Sequence, residues 1–232
     1  MKIKIQSKSQ SLMADLSEVK NAKGLVIFLS GLTGDRDLPL FKKASVYFVK
    51  NNFSTLKINI CTTSTLKDMT FSVYAERLRD VCVHFDKKYP KIILVGHSFG
   101  AIIALMFFSL YKKYSKSASI ILWDPSLLPW KKKWMEEDFS FNKKTKLYQG
   151  KHARETINAV FYNECIKTNS VNIFRSLCPT SLVIAAENSA DKDAKKYSSK
   201  ATLIKKTDHY FSGTKAQKQL FEASVNFLKE RV

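Results

Sequence analysis

A serine between two glycines stands where a predicted strand meets a predicted helix. Residues 96–100 read Gly-His-Ser-Phe-Gly and match the pattern G-x-S-x-G. Residues 92–95 are apolar, as in a buried strand, and the mainly apolar segment 99–110 predicts a helix. Such a turn lifts the hydroxyl above a sheet and sets it at a helix N-terminus, which favours developing negative charge. The pattern predicts that Ser98 is a nucleophile, with a purely structural glycine turn as the alternative.

A serine nucleophile needs a base, because a free hydroxyl is scarcely ionised at neutral pH. The chain has four histidines. His97 adjoins Ser98 on the same turn, so we expect its side chain to point elsewhere. His84 precedes the serine, whereas the base follows the nucleophile along the chain in enzymes that carry their serine on such a strand-to-helix turn. His152 lies in a basic segment typical of a surface. His209 follows the last predicted strand, at the sheet edge where sites collect, and is the predicted base.

A third group must orient the imidazole and stabilise its charged form. The expected place is the loop after the predicted strand 181–186, which offers Glu187, Asp191 and Asp193. Asp191 is favoured because it suits a short loop before a helix. Asp124, at the end of the strand that follows the nucleophile helix, and Glu187 remain open as alternatives. Asp208, next to the base, is expected to cap a turn.

Two backbone N–H groups must stabilise an oxyanion. One is expected from Phe99, the residue after the nucleophile. The other is expected from the loop 30–37, which reads Ser-Gly-Leu-Thr-Gly-Asp-Arg-Asp. Its two glycines allow the backbone to approach the serine, and Leu32 is the predicted donor.

Strands and helices alternate along most of the chain, which favours a mainly parallel sheet with helices on both faces. The apolar patterns predict strands at 2–6, 12–16, 24–29, 53–60, 91–96, 119–123, 181–186 and 201–205. They predict helices at 38–51, 71–89, 99–114, 191–197 and 217–231. The polar, basic segment 126–177 interrupts this rhythm and predicts an insertion of mixed helix and irregular structure.

Composition narrows the class of protein. The 232 residues carry a formal net charge of +19, which invites a nucleic-acid or membrane partner. Only six of the 39 basic residues are Arg, however, and Arg is the side chain that forks onto phosphates and guanines. No apolar run is long enough to span a bilayer, and no secretory signal is visible. The four scattered cysteines have no metal-binding spacing, which favours reduced thiols and a cytoplasmic location.

With these motifs placed, the chain resembles the α/β-hydrolases, close to the small serine hydrolases and acyl esterases of that superfamily. The resemblance covers nearly the whole chain and rests on residues 30–37, 96–100, 178–184 and 208–211. It implies a mostly parallel eight-stranded sheet and hydrolysis of an ester, thioester or amide through an acyl-enzyme. Two features depart from the family pattern: Ser30 replaces the usual histidine of the oxyanion loop, and Ser189 stands at the expected carboxylate. A serine nucleophile argues against the dehalogenase branch.

The resemblance also predicts the domain organisation. Residues 1–232 are expected to form one α/β-hydrolase domain, with 126–177 as a cap over the pocket. The aromatic side chains of the cap could line an acyl site or simply pack the cap onto the body. Lysines at 131–133 and 143–144 could attract an anionic substrate or form a solvated face.

The favoured hypothesis is a serine hydrolase that cleaves a small-molecule carboxylic ester or thioester. An acyltransferase or peptidase with the same triad is an alternative. So is a basic module that binds nucleic acid or membrane on a hydrolase scaffold. No cofactor, no metal, no nucleic-acid partner and no transmembrane segment are expected, and the sequence predicts no oligomeric state.

Overall fold

A computed structural model describes the chain apart from residues 9, 33, 115–118, 152–154, 178–180, 190–195, 198–200 and 232, and apart from the side chains of residues 63 and 177. The strands are β1 Lys2–Gln6, β2 Ser11–Ser17, β3 Leu25–Leu29, β4 Ser54–Ile58, β5 Ile92–His97, β6 Ser119–Trp123, β7 Phe139–Asn142, β8 Leu147–Gly150, β9 Thr156–Asn158, β10 Ser181–Asn188 and β11 Thr202–Asp208. The helices are α1 Pro39–Lys50, α2 Phe71–Phe85, α3 Phe99–Leu110, α4 Lys132–Asp138, α5 Ala159–Lys167, α6 Ser170–Leu177 and α7 Thr214–Lys229, with 3-10 turns at Thr63–Asp68 and Lys112–Tyr114.

Eight strands form the main sheet, in the order β1-β2-β4-β3-β5-β6-β10-β11. The β1–β2 and β2–β4 pairs are antiparallel, and every pair from β4–β3 to β10–β11 is parallel. Strands β3, β4 and β6 are buried at every position. Burial on both faces is why β3 and most of β6 are continuous apolar runs, whereas β4 also contains the polar residues Ser54, Thr55 and Lys57. The predicted fold, a mostly parallel eight-stranded sheet, is confirmed.

Helices cover both faces of the sheet, and each face has its own apolar core. Helices α2 and α3 contribute to one core, and α1 and α7 contribute to the other. In the second core Phe28 of β3 contacts Phe41 and Phe48 of α1, with ring centroids 5.3 and 5.6 Å apart. Trp123, the last residue of β6, is fully buried there and donates its indole N–H to Ser224 Oγ of α7 at 3.0 Å. This packing fixes the end of β6, which bears a candidate acid.

The insertion 126–177 differs from its prediction. It contains a three-stranded antiparallel sheet, β7-β8-β9, as well as helices α4, α5 and α6. The sequence pattern did not predict these three strands, because each has only three or four residues and much of their surface is exposed. The sheet is held by local contacts such as the stacked rings of Tyr148 and Tyr162, whose centroids are 3.9 Å apart.

Other boundaries also differ from the predicted ones. The helix predicted to reach residue 114 ends at Leu110 and continues as a 3-10 turn, and the closing helix begins at Thr214, three residues earlier than predicted. The helix predicted over 191–197 falls almost wholly outside the described residues. In the part of the chain that the structure describes, no helix combines the length and apolarity needed to cross a membrane.

Gly100 allows α3 to approach the strand beside it. A Cβ at this position would lie 2.1 Å from the carbonyl oxygen of Leu29 and 2.7 Å from that of Ser30. Both atoms are backbone, so neither can move aside cheaply. We expect Gly100→Ala to lower the free energy of unfolding by about 3 kcal/mol, measured by urea denaturation, although alanine is the better helix former.

Gly31→Ala is the matched control for this prediction. Its Cβ would meet Ser98 Cβ at 3.4 Å, an ordinary contact, so its stability should stay close to that of the unchanged protein. A Gly100→Ala protein as stable as the Gly31→Ala control would contradict this view of the turn.

Candidate active site

Ser98 occupies the single-residue junction between β5 and α3. Its backbone has φ 56° and ψ −123°, in the positive-φ region that a residue with a side chain rarely adopts. Its N–H donates to the carbonyl of Trp123 at 3.0 Å, and its own carbonyl accepts from Ala101 at 3.1 Å and Ser126 at 3.3 Å. Three backbone hydrogen bonds therefore hold the strained conformation that the G-x-S-x-G pattern predicts.

The Ser98 hydroxyl lies beside a second serine. Its Oγ is 3.3 Å from Ser126 Oγ, in the loop that follows β6. Among the described residues, no hydrogen bond joins Ser98 Oγ to His209. Hydrogen bonds between a base and its nucleophile are often long before substrate binds and tighten afterwards. Ser126 is a polar neighbour of the predicted nucleophile that motif reasoning missed, because it adjoins Ser98 in space and not in sequence.

His209 lies on a tight loop between β11 and α7. Asp208, just before it, accepts hydrogen bonds on Oδ1 from the N–H groups of Tyr210 at 3.1 Å and Ser212 at 2.9 Å. The bond from the Ser212 backbone is the main cause that lowers the pKa of Asp208. Phe211 closes the loop with φ 50° and donates its N–H to the Asp208 carbonyl at 2.9 Å. As expected, Asp208 caps this turn, and the turn sets the direction of the His209 ring.

Asp124 is the carboxylate that contacts the predicted base. Its Oδ2 lies 2.6 Å from His209 Nδ1, and the residue is fully buried at the end of β6. Ala186 donates its N–H to Oδ1 at 3.0 Å, and Ser189 donates its hydroxyl to Oδ2 at 2.5 Å. A buried carboxylate is tolerated when donors satisfy its oxygens, and here Ala186, Ser189 and the His209 ring supply three.

The other candidate acids have different positions. Asp191 and Asp193 lie outside the described residues, and the contact expected of Asp191, to the base's Nδ1, is made by Asp124. Glu187 does not reach His209 by hydrogen bonding; its Oε2 accepts from the N–H of Lys206 at 2.7 Å on an exposed surface. Among the described residues, the carboxylate in contact with the imidazole is Asp124, the alternative at the end of β6.

Ser189 gives the site a further prediction. We expect Ser189→Ala to lower kcat about tenfold, because the carboxylate of Asp124 loses one charge-assisted hydrogen bond and holds the imidazole less firmly. Steady-state kinetics on a p-nitrophenyl ester measure this. Ser189→Thr keeps the hydroxyl and should recover most of the rate. A Ser189→Ala enzyme with unchanged kcat would show that this bond does not serve the imidazole.

The loop predicted to supply an oxyanion donor lies against Ser98. A Cβ on Gly31 would be 3.4 Å from Ser98 Cβ and 3.6 Å from Ser98 Oγ, so the bare backbone approaches the serine closely. The loop is folded by a hydrogen bond from Gly34 N–H to the Gly31 carbonyl at 3.1 Å and one from the Ser30 hydroxyl to the Gly34 carbonyl at 2.8 Å. Leu32 is half-buried on this loop and packs against the core, whereas residue 33 is not among the described residues.

Phe99 places the second predicted donor. It is the first residue of α3, where N–H groups have no partner within the helix. Its buried side chain packs among aromatic rings whose centroids lie 5.8–6.2 Å away, those of Phe71, Tyr74, Trp130 and Phe161. Trp130 and Phe161 belong to the insertion, so at least these aromatic side chains pack the insertion onto the body beside the nucleophile.

His97 has a structural partner that the sequence did not reveal. It is buried below the base's loop, and its Nε2 lies 2.8 Å from the main-chain oxygen of His209. The two imidazole rings lie 4.7 Å apart between centroids. Burial is the main cause that lowers the pKa of His97 to about 4, so its ring is neutral near pH 7.

The lysines of the insertion are exposed. On α4, Lys132 lies 3.6 Å from Glu136 and Lys133 lies 3.8 Å from Glu137, each pair one helical turn apart. Exposed pairs of this kind contribute about 0.3–0.5 kcal/mol, so they do little for stability. Lys143 and Lys144 are exposed as well. These observations agree with a solvated face.

Comparison with known proteins places the fold. No protein-family model and no curated protein matches the sequence. Solved structures do match: Est1E from Butyrivibrio proteoclasticus has a TM-score of 0.80 at 15% identity, covering 99% of this chain and 98% of its own. The α/β hydrolase GrgF from Penicillium sp. sh18 has a TM-score of 0.76 at 14% identity, with 99% and 98% covered. Dienelactone hydrolase from Anabaena variabilis ATCC 29413 has a TM-score of 0.68 at 12% identity, with 99% and 96% covered. The chain has the α/β-hydrolase fold.

Proposed function

We propose that this α/β-hydrolase-fold protein is a serine hydrolase that cleaves a small-molecule carboxylic ester or thioester through an acyl-enzyme. The observation that carries the proposal is the contact of 2.6 Å between the buried Asp124 and His209 Nδ1. The backbone of His209 also contacts His97, the residue before Ser98 on its strained turn. A carboxylate at Nδ1 fixes the tautomer in which Nδ1 bears the proton and Nε2 is free to accept one.

The proposed reaction has two halves. Ser98 Oγ attacks the acyl carbonyl carbon while His209 Nε2 takes the hydroxyl proton, and the backbone N–H groups of Leu32 and Phe99 stabilise the oxyanion. The imidazolium then returns the proton to the leaving alcohol or thiol as its bond to carbon breaks. His209 then deprotonates a water molecule, whose oxygen attacks the acyl carbon. The bond from that carbon to Ser98 Oγ breaks, His209 returns the proton to Oγ, and the carboxylic acid leaves.

Asp124 stabilises the imidazolium that forms in each half. Its two oxygens accept hydrogen bonds from the Ala186 N–H and the Ser189 hydroxyl, which hold the carboxylate in place beside the ring. The positively charged ring therefore forms beside a fixed negative charge that does not have to be reoriented during the reaction.

The structural neighbours support a small organic substrate. Est1E also has a structure with ferulic acid bound, and DcsB, which matches with a TM-score of 0.76 at 15% identity, has one with a substrate analogue. In this chain we propose that the insertion 126–177 forms a cap over the pocket, since its Trp130 is half-buried against Phe99. The acyl group of the substrate would then lie between the cap and the turn that bears Ser98.

Burst kinetics test this function. With excess p-nitrophenyl acetate, we expect a rapid release of about one p-nitrophenol per enzyme before the steady rate, because acylation of Ser98 precedes hydrolysis. A matched set of ester and thioester substrates of increasing acyl length then ranks kcat/KM and identifies the acyl group. An enzyme that turns over none of these substrates at a rate above the uncatalysed reaction would overturn the proposal.

A further inference from the structure

A second imidazole, His97, supports the loop that bears the proposed base. His97 is the last residue of β5, one position before the nucleophile, and only 1% of its surface is exposed. Its Nε2 lies 2.8 Å from the main-chain oxygen of His209, a residue 112 positions further along the chain. The planes of the two rings are 38° apart and their centroids are 4.7 Å apart. His97 thus contacts both the backbone and the ring of the base.

The contact fixes the tautomer of His97. A carbonyl oxygen can only accept a hydrogen bond, so Nε2 of His97 carries the proton and donates it to His209. In a neutral ring Nδ1 is then an acceptor, and within the described residues this buried atom has no hydrogen-bond partner. A protonated ring would need a second acceptor at Nδ1 that these residues do not offer.

The surroundings of His97 also disfavour a positive charge. The edge-on ring of Phe41 lies 6.4 Å away and the ring of Tyr210 lies 5.6 Å away, both between centroids. Asp124 is the nearby charged group that would favour protonation, whereas burial and a protonated His209 oppose it. A neutral neighbour leaves the proton that His209 must take up free of repulsion from below.

We propose that His97 is a positioning residue: a neutral imidazole that holds the backbone of His209, so that the base keeps its alignment with Asp124 and Ser98. It acts through His209 and does not touch the substrate. The proposal rests on the proposed function, in which His209 is the base. It also gives a structural reason for the histidine at the second position of Gly-His-Ser-Phe-Gly. In this proposal the end of β5 both positions Ser98 and, through His97, holds the backbone of His209.

Two substitutions of similar shape test the hydrogen bond. His97→Gln keeps an N–H donor near the position of Nε2, whereas His97→Met has no donor. We expect His97→Met to lower kcat at least tenfold with little change in KM, because removing a partner that orients a working imidazole typically costs 10- to 100-fold. His97→Gln should restore the rate to within about fivefold. Equal rates in the two variants would overturn the proposal.

NMR separates positioning from general stability. The downfield proton resonance of the His209–Asp124 hydrogen bond should weaken in His97→Met and persist in His97→Gln, because only glutamine keeps a donor to the His209 backbone. A folded His97→Met protein with an unchanged resonance would overturn the proposal.

A second donor-free variant covers the case in which His97→Met does not fold. His97→Phe keeps an aromatic ring and should show the same losses as His97→Met. If neither of these variants folds, the test rests on His97→Gln. A loss of more than tenfold in kcat in His97→Gln overturns the proposal, and a rate within fivefold of the unchanged protein supports it. The NMR measurement needs no substrate. If the protein hydrolyses no ester at all, the proposed function fails, while the resonance still reports whether His97 positions His209.

Discussion

Ser98→Ala is expected to lower kcat for p-nitrophenyl ester hydrolysis by about 10⁵-fold or more, a loss of the size seen when a serine nucleophile is removed. The substitution removes the oxygen that forms the acyl-enzyme, and no neighbouring group can replace it without moving. Ser126 Oγ is 3.3 Å away, but Ser126 lies in the loop after β6 and not on the turn between β5 and α3. The rate is measured with enzyme freed of contaminating esterases, beside urea unfolding curves.

The control for this loss is Ser140→Ala, an exposed serine of β7 in the insertion. Its rate should match that of the unchanged protein. The unfolding curve of Ser98→Ala should also be close to the original, because alanine fits the space of serine and keeps the same backbone strain. A Ser98→Ala protein that retains more than 1% of the rate would remove Ser98 from the reaction.

Asp124→Asn should produce the second-largest loss, about 10⁴-fold in kcat, as an aspartate-to-asparagine change does in a serine protease triad. An asparagine at this position cannot stabilise the imidazolium and can turn its amide N–H groups toward His209 Nδ1, which selects the wrong tautomer. The variant should fold with reduced stability, since the donors of Ala186 and Ser189 then face a neutral group. Circular dichroism therefore measures the folded fraction of the variant, and the rate is divided by the concentration of folded enzyme.

Asp191→Asn and Glu187→Gln are the matched controls for Asp124→Asn. If Asp124 is the acid, both controls should keep kcat within about threefold. A large loss in Asp191→Asn together with a normal rate in Asp124→Asn would return the role of the acid to the loop after β10. Such a result would make the 2.6 Å contact of Asp124 with His209 a structural one.

The candidate nucleophile and the candidate base could be selected from the sequence because their signals are local. Position 100 must be glycine for α3 to approach β3, because a Cβ there would lie 2.1 Å from the Leu29 carbonyl oxygen. The pattern that identifies Ser98 is therefore contained in five consecutive residues. The histidine followed from chain order and from its place after the last strand, which the structure places at β11. The mainly parallel sheet likewise followed from the alternation of predicted strands and helices.

The acid contact could not be predicted, because it depends on which strands are neighbours. Strands β6 and β10 lie side by side, so the residues that directly follow them lie at the same edge of the sheet. Asp124 follows β6 and supplies the carboxylate, and Ser189 follows β10 and donates its hydroxyl to it. Sequence reasoning recognised that a serine stands at the usual carboxylate position, but only the pairing shows that the two residues meet.

The contact of His97 was hidden for the same reason. Its partner is a backbone atom 112 residues away, and a carbonyl oxygen leaves no mark in the sequence. The sheet of the insertion was missed for a different reason: its strands are short and partly exposed, so their apolar pattern is too weak to separate from irregular structure.

Labelling with a fluorophosphonate tests the central claim most directly, because the reagent phosphonylates a serine only where a base and an oxyanion site activate it. The tryptic peptide that spans 92–112 contains Ser98 and Ser109, and its fragment masses distinguish the two. We predict one phosphonyl group per chain, on Ser98, that is absent from Ser98→Ala and forms at least a thousandfold more slowly in Asp124→Asn. A label on another residue, or equal labelling of the Ser98→Ala protein, would contradict the account.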